Sequence, residues 1–223
     1  MPRAPKPRRA SADDTRARIF ASAIRLFAEQ GYESTSVDRI VRDAGVAKGT
    51  FFNHFATKEA VVSQLVRNQI RGARAARDRV LAIGGSPVDA LRATVMSLGE
   101  QAGANRGLSR AIVTANIVSS ELGGHAESVF DGIVVEMMED VRAAQRAGLL
   151  SKTADCETIA GTLVTSYLGA TLHFATSPQP APLVDLLSPV VEANLIGFGA
   201  HPPAGRGLQR KAWSAARRKA RKP

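Results

Sequence analysis

Between Thr15 and Gly45 the apolar residues recur at helical spacing and are cut off twice by glycine. Ile19, Ala23, Leu26 and Phe27 share one face of a helix that Gly31 stops, because glycine takes up the left-handed conformation of a helix end at little cost. Thr35, with Asp38 three residues later, reads as the capping start of a second, short helix. Val37, Ile40, Val41 and Ala44 line its face, and Gly45 closes it.

The next stretch, AGVAKGTFFNHFATKEA from Ala44 to Ala60, holds Phe51, Phe52 and Phe55 among Lys48, Asn53, His54 and Lys58. On a helix starting at Lys48, successive residues turn by about 100°, so Phe51 and Phe55 fall near 300° and 340° while Gly49, Thr50 and Asn53 span roughly 100° to 200°. A helix of barely two turns does not hold itself together in water, and the two phenylalanines predict that it is pinned to its neighbours. The opposite face is small and polar. Gly49 permits close approach, and Thr50 and Asn53 offer hydrogen bonds and a methyl group to base edges in a major groove wide enough for a helix. Helix, glycine turn, second helix is the helix-turn-helix arrangement.

Beyond it, Thr57 is placed to cap a long helix through Val61, Leu65, Ile70 and Val80, ended by Gly84 and Gly85, and Ser86 with Pro87 starts the next. Further helices are predicted over roughly 87–104, 108–120, 125–147, 154–176 and 183–197, separated by Gly123 and Gly124, Gly148, and the run Pro178, Pro180 and Pro182. No stretch alternates as a strand does, so the fold class is all-α. Residues 159–177 carry no Asp, Glu, Lys or Arg and approach the length of a membrane span. They include Thr162, Thr165, Ser166, Thr171 and Thr176 and lack flanking basic anchors. The expectation is a helix buried all round, in part against a second copy of the chain, with no membrane partner. Arg67, Arg71 and Arg74 form a stripe on the long helix that reads as a solvated face.

The formal charge of +10 sits at the ends. Residues 1–12 carry Arg3, Lys6, Arg8 and Arg9 without an acid, residues 200–223 carry eight Lys and Arg without an acid, and the middle sums to −2. Basic tails on a near-neutral body suit a partner that is a polyanion, since each cation on a phosphate releases a counterion; the same tails also serve solubility alone. The lone Cys156 and the absence of a cleavable leader predict a cytoplasmic location.

Residues 15–66 closely resemble the DNA-binding domain of the tetracycline-repressor-like (TetR) family of transcriptional regulators. The resemblance rests on LFAEQGY closing the first helix, TSV opening the second, AGV at the turn, and KGT, HF and TKE after it. It implies a homodimer on a double-stranded DNA operator, with a helix-turn-helix domain over 13–58 and a helical domain for a small-molecule effector and dimerisation over 59–199; the charge distribution adds a basic disordered arm over 1–12 and a basic disordered tail over 200–223. RAGLL followed by a helix of small and apolar residues, and LVDLLSPVVEANLIGFG, fit the family's last two helices, which by resemblance form a four-helix dimer interface. Two departures stand out. Ala47 occupies a position where relatives often carry a capping Ser, and Phe52 one where many carry Tyr, so the phosphate grip is expected from Thr35, His54, Lys48 and Lys58, with Ser36 beside them and Phe52 pressing on the backbone or a thymine methyl. Lys58 at a helix start opposes the dipole, which argues for a phosphate partner.

The body should hold an apolar cavity with a few polar groups. Candidate lining residues are Met96, Gln101, Asn116, Met137, Met138, Tyr167 and His173, each of which also reads as ordinary core or surface. With aromatics at 5% of the chain, an aliphatic or acyl effector fits better than a stacked planar dye. His54, His125, His173 and His201 are scattered, none at a metal-ligand spacing, and no phosphate-cradling loop or nucleophile turn occurs, so no metal, cofactor or catalysis is expected. A nucleoid-type DNA binder without a ligand response is the alternative reading.

Overall fold

The computed structural model describes residues 11–121 and 131–201, with their side chains except those of 114–121 and 131. The basic arm and tail thus lie outside the described residues, apart from residues 11, 12, 200 and 201. The helices are α1 (Ala12–Gln30), α2 (Val37–Ala44), α3 (Lys48–His54), α4 (Lys58–Ala82), α5 (Pro87–Gly103), α6 (Arg106–Glu121), α7 (Asp131–Arg146), α8 (Cys156–Thr176) and α9 (Leu183–Gly197). Among the described residues there is no strand; the chain is all-α.

Local chemistry accounts for most of the boundaries. Ser11 and Asp14 close a capping box ahead of α1, and Ser86 and Asp89 close another ahead of α5, with Pro87 in its first turn. Gly45 takes φ 62° and ends α2, its N–H returning to Arg42 and Val41. The capping role expected of Thr35 belongs instead to Ser36, whose Oγ accepts from the Arg39 N–H. Thr57 caps α4 as its sequence suggests, and Asp155 caps α8.

Ile19, Ala23, Leu26 and Phe27 of α1 are buried and continuous with an apolar core that extends to Leu187, Val191 and Leu195 of α9. α5 sits at the centre of the body, packed by α4, α7, α8 and α9. The three N-terminal helices meet the body where α6 starts. A Cβ on Gly107 would lie 2.7 Å from the Ala28 carbonyl oxygen and 2.9 Å from its Cα, so α6 crosses the backbone of α1 with no side chain between. Beside it, Arg106 donates to the Phe174 and Ala175 carbonyls at 3.2 and 3.3 Å, and Arg110 to Ala175 at 2.7 Å, which fixes the end of α8 to α6.

In the single chain one face of α8 is buried, with Ile159, Leu163, Tyr167 and Phe174 toward the core, while Thr165, Gly169 and Leu172 are exposed, which leaves the expected second copy to cover the other face. The stripe of Arg67, Arg71 and Arg74 is exposed as expected, with Arg74 in a two-pronged ion pair with Glu136 of α7; Arg77, further along α4, does the same with the buried Asp140 at 2.6 Å. No helix among the described residues is long and apolar enough to cross a membrane.

Candidate nucleic-acid interface

α3 starts at Ala47 without a side-chain cap and spans seven residues, so its stability comes from what it packs against. Phe51 is fully buried and Phe55, just past its end, is 2% exposed. Their rings lie 6.0 Å apart, and α3 packs against α1 and α2. Phe52 is 48% exposed and meets Phe51 edge to face at 5.4 Å. Gly49 and Asn53 are exposed and Thr50 half-buried, so the small polar face lies outward as its position on the helix predicts. A Cβ on Gly49 would meet nothing within 4 Å.

Exposed cations stand on α3 and on α2, which packs against it. Lys48 pairs with Asp38 of α2 at 2.9 Å, with both side chains more than half exposed, and Arg39 and Arg42 are open to solvent. Ser36 is exposed at the start of α2, where unpaired backbone N–H groups favour an anion. His54 is half-buried.

Two of the expected phosphate contacts have other work. Thr35 is fully buried; its hydroxyl donates to the Gly31 carbonyl at 2.7 Å and accepts from Gln30, and its N–H donates to Tyr32. It braces the turn between α1 and α2. Lys58 curls back to donate to the Tyr32 carbonyl at 2.9 Å, with its ammonium 4.0 Å over the Tyr32 ring. These contacts offset the dipole cost at the start of α4, which removes that argument for a phosphate partner.

Tyr32 in turn donates its hydroxyl to Glu59 at 2.6 Å. Burial, with the Glu59 carboxylate next, pushes the tyrosine far above its ordinary value. Burial alone would raise Glu59, but the hydrogen bonds from Tyr32, its own backbone and Thr57, with Lys58 nearby, outweigh it and hold the carboxyl below its usual range. The GY and TKE segments are therefore one joint, locking the loop after α1 onto the first turn of α4.

The six candidate effector residues whose side chains are described stand in different surroundings. Met96 lines an open hollow of about 580 Å³ between α4 and α5, with Val80, Ile83 and Ala93. Gln101 is spent on the Gln69 and Ser97 carbonyls, both at 3.1 Å, and its side chain fills the space over Gly72. Met137 and Tyr167 are core residues, 1% and 0% exposed, and burial pushes the Tyr167 hydroxyl up to about 12. Met138 is half-buried against the core, and His173 is exposed at the end of α8 beside Ser177. The side chain of Asn116 lies outside the described residues.

Sequence reasoning passed over Arg16, Arg18 and the joint at Tyr32. Arg16 carried a signal: it falls on the same helical face as Ile19, Ala23 and Phe27, where a charge is unexpected. Arg18 carried none.

A glycine-turned pair of short helices, the second presenting a small polar face, mounted on a larger helical body, defines the class of helix-turn-helix DNA-binding regulators. Residues 19–65 match the family model described as bacterial regulatory proteins, tetR family. The HTH-type transcriptional regulator UidR of Escherichia coli K12 is 26% identical over 141 residues, 63% of this chain and 71% of its own. EthR of Mycolicibacterium smegmatis is 36% identical over 92 residues, 41% of this chain and 42% of its own. The TetR-family repressor FadR of Thermus thermophilus, solved in complex with lauroyl-CoA, superposes with a TM-score of 0.64 at 25% identity, over 86% of this chain and 99% of that one. Residues 19–65 thus carry a DNA-binding domain of the tetR family, and the relatives and solved structures that the longer chain resembles are transcriptional regulators of that kind.

Proposed function

We propose that the protein is a cytoplasmic, effector-responsive repressor that binds a palindromic operator as a homodimer. Residues 13–58 read DNA in this reading, and 59–199 sense the effector and pair the subunits. The observation that carries it is the division of α3: Phe51 and Phe55 inward, Gly49, Thr50 and Asn53 outward. Thr50 and Asn53 read base edges; Lys48, Ser36 and His54 hold phosphates; Phe52 presses on the sugar-phosphate wall or a thymine methyl. Lys48 exchanges its Asp38 partner for a phosphate on binding, at little cost because an exposed ion pair is weak.

The outward faces of α8 and α9 support the dimer. Gly169 and Leu172 on α8, and Val190, Ala193 and Ile196 on α9, are exposed and uncharged, which suits burial against their own copies. Two recognition helices then reach successive major grooves, and the operator is an inverted repeat with half-sites about one helical turn or more apart. The effector is an aliphatic or acyl molecule, supported by the low aromatic content and by the lauroyl-CoA held by the Thermus relative.

The decisive experiment replaces Thr50 and Asn53 together by Glu and measures operator affinity, melting temperature and oligomeric state. Loss of operator binding with the fold and the dimer intact is expected. Unchanged affinity would overturn the reading, as would a footprint without two-fold symmetry.

A further inference from the structure

Arg16 stands on the inward face of α1, and its guanidinium carbon lies 4.3 Å over the Phe55 ring. One terminal nitrogen donates to the carbonyl of His54, the last residue of α3, at 2.6 Å, and the other to Gln64 Oε1 of α4 at 3.1 Å. Two residues on, Arg18 donates to the carbonyl of Ala44, the last residue of α2, and to that of Gly45 at 3.2 Å. The first helix thus places one cation on the C-terminal carbonyls of each helix of the helix-turn-helix, the negative end of each dipole.

We propose that Arg16, with Arg18 in support, is a positioning residue for operator recognition: it sets the angle and rotation of α3 and is not itself a phosphate contact. This rests on the reading of α3 as the recognition helix. Phe51 and Phe55 keep α3 from leaving its seat, but ring contacts are weakly directional and let a two-turn helix roll about them. A hydrogen bond to its final carbonyl is directional, and the fork to Gln64 with the stack on Phe55 ties that bond to α4. Without a cap at Ala47, the C-terminal end is where α3 is fixed. A small roll would carry Thr50 and Asn53 off the base edges and leave the surrounding phosphate contacts in place. Arg16 therefore governs the preference for operator over random DNA.

The test measures binding of Arg16→Lys and Arg16→Ala to operator and random duplexes over a series of salt concentrations. Operator affinity should fall about ten- to a hundredfold in both, the loss of a charge-assisted hydrogen bond. Random-duplex affinity and the slope of log affinity against log salt should stay at the wild-type values. Were Arg16 a phosphate contact, the Ala variant would flatten the slope by about 0.9 per subunit, so about 1.8 for the dimer, weaken both duplexes alike, and be rescued by Lys; that outcome overturns the proposal. Where the Ala variant does not fold, the Lys variant decides, because it keeps the charge and loses the fork and the stack.

A second measurement needs no DNA. Amide exchange at the Phe55 N–H, which donates to the Phe51 carbonyl at 2.8 Å, should quicken in both variants while that of Ala23 in α1 holds. Unchanged exchange at Phe55 overturns the proposal even where DNA binding is lost. If the wild-type protein prefers no inverted repeat, the functional reading fails by itself, and the exchange rates still judge whether Arg16 holds α3.

Discussion

The outer face of α3 and the outer faces of α8 and α9 are both short of charged side chains, yet they suit opposite partners. On α3 the exposed groups are small and polar, Gly49 and Asn53, with Lys48 on the same helix and Arg39 and Arg42 nearby on α2. On α8 and α9 they include a set of apolar residues, Gly169, Ala193, Val190, Leu172 and Ile196, the last three 41%, 46% and 47% exposed. Small residues let a partner backbone come close in either place. What decides the partner is the rim: cations around a polar strip draw a polyanion, whereas an apolar strip gains only by removing its surface from water. The size of the helices follows from the same contrast. α8 has 21 residues and one face in the core, so it survives exposure of the other; α3 has seven and is held by two rings and an arginine.

The strongest way to break the contrast is to put a charge on the apolar face. Ile196→Arg, combined with Gly169→Arg, should give a folded monomer by sedimentation. Its operator affinity should drop by about 10²- to 10⁴-fold, since two linked readers become one. A variant that stays dimeric would detach α8 and α9 from subunit pairing. Next in size, Phe51→Ala should cost about 3–5 kcal/mol in urea unfolding, the usual loss for a buried phenylalanine. Phe52→Ala should cost about 1 kcal/mol or less, its edge-to-face contact with Phe51 being its main debt to the fold, while operator affinity falls. Equal costs at the two positions would mean that α3 has no distinct inner and outer face.

The N-terminal helices were legible because their determinants are local. Gly31, Gly45 and Ser86 mark ends within a turn of the residues they terminate, and the wheel position of Phe51 relative to Asn53 is set by spacing alone. Thr35 shows where this fails: its hydroxyl could cap α2 or reach solvent, and only the path of the chain at Gly31 decides that it points inward. Lys58 fails for the same reason, because Tyr32, 26 residues earlier, takes up its ammonium. In the body the helices were legible and the effector site was not. A pocket is the space left between helices, as in the hollow between α4 and α5, and the crossing of helices is set by long-range partners, such as Arg77 with Asp140 and Arg92 with Glu192, whose pairing no single segment announces.

The joint between Tyr32 and Glu59 offers a smaller test that separates fold from reading face. The folded-state carboxyl is held below its ordinary 4.5, so its contribution is present above that pH and is lost as the pH falls through the folded value. Urea midpoints measured from pH 7 downward should therefore decline more steeply for the wild type than for Glu59→Gln. At pH 7 the variant should be weaker by about 1 kcal/mol, a partly solvated hydrogen bond to a charge. Parallel curves would show that the joint does not depend on that charge.

The smallest effect on stability comes with an opposite sign on binding, and it divides α3 most cleanly. Gly49 is helical, exposed, and without a neighbour within 4 Å of an added Cβ, so Gly49→Ala should stabilise the free protein by about 0.5–1 kcal/mol through backbone entropy. The same methyl stands on the strip where α3 meets the groove wall. Operator affinity should fall while the melting temperature rises, measured on one preparation. A substitution that improves the fold and harms the complex can act only at a contact absent from the free protein, whereas a gain or no change in both would place the groove wall away from Gly49 and move the reading face toward Phe52.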